Sequence, residues 1–188
     1  QNEKKGQSLF LIFEIGTTME RGYIQVYYGD GKGKTTAAVG LAVRAVGAGL
    51  TVCFAQFMKP GTSCELEGLR SLGVRMISGA QNKFSFQMTP EEKAQARLRN
   101  EAILNEALIL KDDVLVLDEA MDACRLGLLD RERILALLRD KPHGLELVIT
   151  GHEPDQEFLD LADYVTEAVC HKHPYRDEGV RARKGIEY

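Results

Sequence analysis

Residues 23–49 read YIQVYYGDGKGKTTAAVGLAVRAVGAG. Tyr23 to Tyr28 is rich in aromatic and β-branched residues, which suit a pleated, half-buried strand. A glycine-rich loop follows, Gly29, Asp30, Gly31, Lys32, Gly33, Lys34, Thr35 and Thr36, and then an apolar helix that ends near Gly47 and Gly49. A loop that turns tightly into a helix N-terminus aims several backbone N–H groups at one point, where the helix dipole also favours negative charge. Glycine lets that backbone curl around a phosphate without Cβ clashes. Lys34 adds a full positive charge, and the Thr35 hydroxyl is placed to reach a phosphate-bound Mg²⁺. The stretch predicts a triphosphate cradle. The full phosphate-loop pattern has a glycine five residues before Gly33, where this chain has Tyr28, so a variant phosphate path is expected.

With 188 residues the chain fits one domain with a sizeable core. A formal net charge of −4 argues against nucleic acid as the main partner, since polyphosphate backbones demand a basic face. Arg181, Arg183 and Lys184 near the end read as a solvated tail or a local anion contact. Cys53, Cys64, Cys124 and Cys170 lie far apart without a CxxC pair, which fits reduced thiols in the cytoplasm better than disulfides or a zinc site. No apolar run approaches the ~18 residues that span a bilayer, so no membrane role is expected. Lys4 and Lys5 ahead of Leu9 to Ile15 faintly suggest a signal peptide, but Glu14 interrupts the run. Residues 1–22 therefore read as an upstream extension or a mobile arm, and residues 23–188 as the domain.

Beyond the first helix, strands and helices alternate. Thr51 to Phe57 reads as a second strand, ended by Lys59, Pro60 and Gly61, with a short helix over Glu65 to Leu72. Val74 to Ile77 is a third strand. Ser78 to Met88 has no sustained period and reads as a functional loop. Thr89, Pro90 and Glu92 carry the signature of a capped helix start, for a helix running to about Leu110 with Ala102, Ile103, Ala107 and Leu110 on one side.

Val114 to Leu117 is a continuous apolar strand ending in Asp118 and Glu119. A buried parallel strand that delivers a carboxylate at its C-terminal edge suits a phosphate-bound magnesium, while ordinary solvent-facing acids are the alternative; the upstream loop favours the metal role. A helix over Asp130 to Arg139 precedes a fifth strand, Glu146 to Ile149, which ends in Thr150, Gly151 and His152. Pro154 to Leu161 is a helix and Tyr164 to Val169 a sixth strand. The alternation predicts a single-domain α/β fold of the P-loop NTPase type, a mostly parallel sheet of about six strands with helices on both faces. Ligands of such sheets bind outside the carboxyl ends of the strands. His171 and His173 face opposite ways if the segment is extended, so surface or loop hydrogen bonding fits them better than metal ligation.

Several segments together resemble the P-loop ATP:corrinoid adenosyltransferases, which act on cob(I)alamin and cob(I)yrinic acid a,c-diamide. They are Gly29 to Gly49, QFMK (Gln56 to Lys59), VLVLDEAMDACRLGLL (Val114 to Leu129), VITGH (Val148 to His152), ADYVTE (Ala162 to Glu167), KHPY (Lys172 to Tyr175) and GIEY (Gly185 to Tyr188). The resemblance implies transfer of the 5′-deoxyadenosyl group of ATP to a Co(I) corrinoid with release of triphosphate. It implies an ATP turned around in the loop, so that the ribose carbon rather than the terminal phosphate is exposed. Gly29 to Thr36 then wrap the triphosphate, with Lys34 and Lys32 stabilising its growing charge and Lys34 the catalytic cation. Thr35 and Glu119 hold Mg²⁺ with Asp118 in support, and Arg44 and Gln56 are further candidates for nucleotide contact. Phe84 and Phe86 match an aromatic pair beneath the corrin, the second member of which is often Trp. The family implies a homodimer and a Co(II)-reducing flavoprotein partner. The alternatives are a P-loop small-molecule kinase or ATPase, and a nucleotide-binding regulatory module without turnover.

Overall fold

The computed structural model describes residues 19–59, 61–79, 83, 85–109 and 111–187. Most of the expected N-terminal arm, residues 1–18, lies outside them, as does Phe84. Strand β1 (Ile24–Tyr28) leads through the glycine loop into α1 (Lys34–Gly47), followed by β2 (Val52–Gln56), α2 (Glu65–Ser71) and β3 (Arg75–Ser78). A single 3-10 turn at Ser85–Gln87 precedes α3 (Pro90–Ile109), β4 (Val114–Asp118), α4 (Ala120–Arg125) and α5 (Arg131–Asp140). The chain closes with β5 (Glu146–Thr150), α6 (Gln156–Asp160), β6 (Tyr164–Glu167) and α7 (Pro174–Glu178).

The strands form one six-stranded sheet in the order β3-β2-β4-β5-β1-β6, and every pairing is parallel. The expected α/β architecture is therefore present. Successive strand residues point to opposite faces, and here both faces are covered. Val114 and Val116 of β4 pack with Ala38, Ala42 and Ala45 of α1, whose small side chains sit one and two turns apart and let the helix lie close to the sheet. Leu115 and Leu117 point the other way, into a cluster with Ile103, Leu104 and Ala107 of α3 and Ile134, Leu135 and Leu138 of α5. Each such leucine, fully buried, contributes about 1.5–3 kcal/mol relative to exposure.

Three local expectations change. On α3 the buried face is Ala96, Asn100, Ile103, Leu104 and Ala107; Ala102 points outward, and Leu110 lies outside the described residues. Asn100 disguises that stripe because its side-chain amide donates to the Leu128 carbonyl at 3.0 Å, which satisfies a polar group inside the core. The helices α4 and α7 were not anticipated. The sixth strand stops at Glu167, and all four of its residues are exposed at the sheet edge.

The strand order decides which chain segments meet. β5 lies between β1 and β4, and β4 between β5 and β2. The C-terminal ends of β1, β5, β4 and β2 thus follow one another along one edge, where a parallel sheet of this kind offers its crevice.

Candidate active site

At the end of β1 the glycine loop wraps back against the β6 end of the sheet. The Gly31 amide donates to the Ala168 carbonyl at 2.7 Å and the Gly29 amide to the His152 carbonyl at 3.0 Å. A Cβ on Gly29 or Gly31 would come within 2.4 or 2.7 Å of the Ala168 carbonyl oxygen, so neither position admits a side chain. Gly33 is required for another reason: its φ of 121° lies where only glycine sits comfortably. Tyr28 does not prevent the loop from forming; the first left-handed turn falls one residue later, at Gly29 with φ 107°.

Helix α1 begins at Lys34 with no side-chain cap and no acidic residue in its first turn. Its leading amides are therefore left for an anion. The Lys34 ammonium folds back into the loop and donates to the carbonyl oxygens of Gly29 at 2.7 Å and Gly31 at 2.8 Å. Burial lowers its pKa, an effect opposed by Asp122, Glu119, Asp30 and Asp118.

Asp118 is the fully buried hub of the site. Its Oδ1 accepts from the hydroxyls of Thr35 at 2.9 Å and Thr150 at 2.8 Å. Its Oδ2 accepts from Lys59 Nζ at 2.8 Å and from Gln56 Nε2 at 3.2 Å. Four donors from three segments, the start of α1, the end of β5, and β2 with the turn after it, converge on one carboxylate at the end of β4, which fixes these elements relative to one another. Glu119, next in the chain, takes a left-handed φ of 61°, and its amide donates to the Thr150 hydroxyl oxygen at 2.8 Å. Burial pushes the Glu119 carboxyl up to about 7, with Asp118 and Asp122 adding to the effect and Lys59 and His152 opposing it. Beside it, Asp122 Oδ2 accepts from the backbone amide of His152 at 2.8 Å and lies 2.9 Å from His152 Nδ1.

These groups open onto a cleft of about 760 Å³, lined by Lys34, Thr35, Lys59, Glu65, Glu119 and His152 among others. A second cavity of about 1020 Å³ adjoins it and is lined by Lys32, His171, Tyr175, Arg181 and Arg183. Lys32 and Glu187 belong to both, and they pair at 3.1 Å across the boundary.

The structure thus brings Gly31 to Thr36 of the loop, Glu119, Asp118 and Gln56 to one place. Gln56 is fully buried and ties Asp118 to Glu65, and among the described residues its Oε1 has no hydrogen-bond partner. Asp30 turns away, accepting from the Cys170 amide at 3.0 Å and meeting Arg176 at 3.4 Å. Arg44 is not at the loop. It sits ten residues along α1, about 15 Å at 1.5 Å per residue, and lines a separate cavity with Tyr27 and Glu146. Phe86 is 79% exposed on the 3-10 turn. His173 accepts from the Tyr175 amide at 3.2 Å and caps α7, the loop role expected of it.

Sequence reasoning did not select Lys59, Thr150, Asp122, His152 or Glu65 as site residues. For Thr150 and His152 a signal was present, since they follow β5 at the same sheet edge as Asp118. Lys59 could have been found the same way, three residues after β2.

Residues 20–188 match the family model described as ATP:corrinoid adenosyltransferase BtuR/CobO/CobP. A corrinoid adenosyltransferase of Escherichia coli (strain K12) is 38% identical over 174 residues, covering 90% of this chain and 87% of the relative. The corrinoid adenosyltransferase CobA of Salmonella typhimurium is 37% identical over 176 residues, with the same two coverages. A corrinoid adenosyltransferase of Pseudomonas aeruginosa is 31% identical over 173 residues, covering 90% of this chain and 85% of the relative.

Proposed function

The chain belongs to the ATP:corrinoid adenosyltransferase family, and we propose that the crevice at the ends of β1, β5, β4 and β2 is where it moves the 5′-deoxyadenosyl group of ATP onto a Co(I) corrinoid. Its activity is adenosyl transfer to a corrinoid, with ATP as the donor. The observation that supports the site most strongly is the convergence of Thr35, Thr150, Lys59 and Gln56 on Asp118, directly beside the uncapped start of α1.

In the reaction a bond forms between cobalt and C5′ as the bond between C5′ and the triphosphate oxygen breaks. The nucleophile is the reduced cobalt of the substrate, so the chain itself supplies position and charge. The loop from Gly29 to Thr36 wraps the triphosphate, with the unspent amides at the start of α1 donating to it, and Lys34 neutralises the charge that grows as it departs. Lys32 extends that positive surface from the loop. Gln56 supports the cradle from behind through Asp118. Presenting the ribose carbon rather than the terminal phosphorus requires the nucleotide to lie reversed relative to a kinase.

The donor set at Thr35, Asp118 and Glu119 fits a hard divalent cation, being hydroxyl and carboxylate oxygens into which an ammonium is already drawn. Thr35 and Glu119 would hold Mg²⁺, with Asp118, saturated by protein donors, orienting Thr35 from behind. Bound Mg²⁺ supplies charge neutralisation to the leaving triphosphate. Phe84 and Phe86 are assigned to the corrinoid side, where apolar rings beneath the corrin keep a lower ligand off cobalt. Residues 23–188 form the catalytic domain, working as a cytoplasmic homodimer supplied with Co(I) by a flavoprotein reductase; the free cysteines suit a reducing compartment. Among the described residues no helix is long and apolar enough to cross a membrane.

The test is turnover with ATP, Mg²⁺ and a chemically reduced corrinoid, read as the visible absorbance of the adenosylated product. Lys34→Ala should lose at least about a hundredfold in rate while keeping the wild-type circular dichroism. Near-normal activity in that variant would remove Lys34 from the cradle.

A further inference from the structure

Among the described residues only two non-glycines have positive φ, Met58 at 57° and Glu119 at 61°. They stand at the ends of neighbouring strands, β2 and β4, joined where the Phe57 amide donates to the Asp118 carbonyl at 3.0 Å. Such backbone persists only where its surroundings hold it in place. Lys59 follows the Met58 turn, and its ammonium lies over the sheet edge. Its Nζ lies 2.8 Å from Asp118 Oδ2, 3.2 Å from Thr35 Oγ1, 3.7 Å from Glu119 Oε1 and 3.9 Å from Glu65 Oε1. Only 18% of the side chain is exposed.

One hydroxyl and three carboxylates thus surround a single ammonium. Thr35 already gives its hydroxyl proton to Asp118, so its oxygen is left as an acceptor, and Lys59 is the group that uses it. That is the oxygen a metal ion would need. Two cations cannot share it at these distances in a largely dehydrated pocket.

We propose that Lys59 is a resident counter-cation that keeps a free divalent ion out of the site until a nucleotide arrives. The triphosphate brings its own negative charge, gives the displaced ammonium a new partner, and makes room for the metal beside Thr35 and Glu119. Metal entry is thereby conditional on nucleotide. This inference rests on the metal assignment made above to Thr35 and Glu119.

The experiment titrates nucleotide-free protein with Mn²⁺ and follows loss of the free-ion electron paramagnetic resonance signal. Lys59→Met, close in shape and without charge, should bind Mn²⁺ at least about tenfold tighter than wild type. Lys59→Arg, which keeps the charge, should behave as wild type, and circular dichroism checks that both variants fold. Adding Glu119→Gln to Lys59→Met should abolish the gain. Equal Mn²⁺ affinity in wild type and Lys59→Met would overturn the role of Lys59. A gain that survives Glu119→Gln would also overturn it, because the ion would then be binding elsewhere. The metal assignment is tested separately, by the Mg²⁺ dependence of turnover in Glu119→Gln. A shifted dependence together with no gain in Lys59→Met sinks only the present inference, whereas an unshifted one sinks both.

Discussion

His152 and Asp122 show how one residue's environment translates into a measurable pH dependence. The Asp122 carboxylate raises the His152 ring above its ordinary 6.5, chiefly through their hydrogen bond. Burial alone would raise Asp122, but the His152 ring and amide together with Arg125 outweigh it and hold the carboxyl below its ordinary 3.8. The signs follow from linkage. The raised His152 contributes stability that is complete below 6.5 and lost as pH climbs through its folded value. The lowered Asp122 contributes above 3.8 and loses that contribution as pH falls through its own folded value. The pair therefore helps most between those limits. We expect His152→Ala to lower the melting temperature at about pH 5.5 and to leave it nearly unchanged at about pH 9. An equal loss at both values would mean the ring acts by packing alone. At this scale the sequence was readable where chemistry is local. Lys34, Thr35, Asp118 and Glu119 announce themselves by their immediate neighbours, whereas Lys59 and Thr150 are marked in the sequence only by lying at or just after the end of a strand, and the strand order is what brings them onto Asp118.

Helix α3 was legible at its start and misread along its face. The Thr89 amide donates to Glu92 Oε2 at 2.9 Å, and the Glu92 amide donates to Thr89 Oγ1 at 3.2 Å, the reciprocal cap that the sequence Thr-Pro-Glu-Glu suggests. Thr89→Ala should cost about 1 kcal/mol in chemical denaturation without changing catalysis; no measurable loss would mean that the cap is replaced by water. The buried stripe was harder to read because a satisfied polar residue, Asn100, stands in the middle of it. At six and five residues the helices α4 and α7 are too short for a 3.6-residue period to show, and α6, equally short, was anticipated only as part of the longer segment Pro154 to Leu161. Parallel strands covered on both faces read as unbroken apolar runs, so the existence of β2, β4 and β5 was clear from composition alone.

Strand order is a property of the whole molecule and leaves no periodic trace in the chain. The apolar runs say that six strands exist; only the packed structure says that β5 separates β1 from β4 and so delivers Thr150 between the loop and Asp118. A thiol count tests that packing. Cys53 and Cys124 are buried, and burial pushes both thiols up to about 12, while Cys64 and Cys170 are partly exposed. A thiol reagent should label Cys64 and Cys170 rapidly in the folded protein, and all four cysteines only after denaturation. Fast labelling of Cys53 would place β2 at an edge rather than between β3 and β4.

The orientation of ATP in the cradle is the claim on which the chemistry turns, and the phosphate product reports it directly. Phosphorus NMR of the reaction with ATP, Mg²⁺ and a chemically reduced corrinoid should show inorganic triphosphate, formed only when corrinoid is present and in step with adenosylcorrinoid. Orthophosphate and ADP released at the same rate without corrinoid would contradict it.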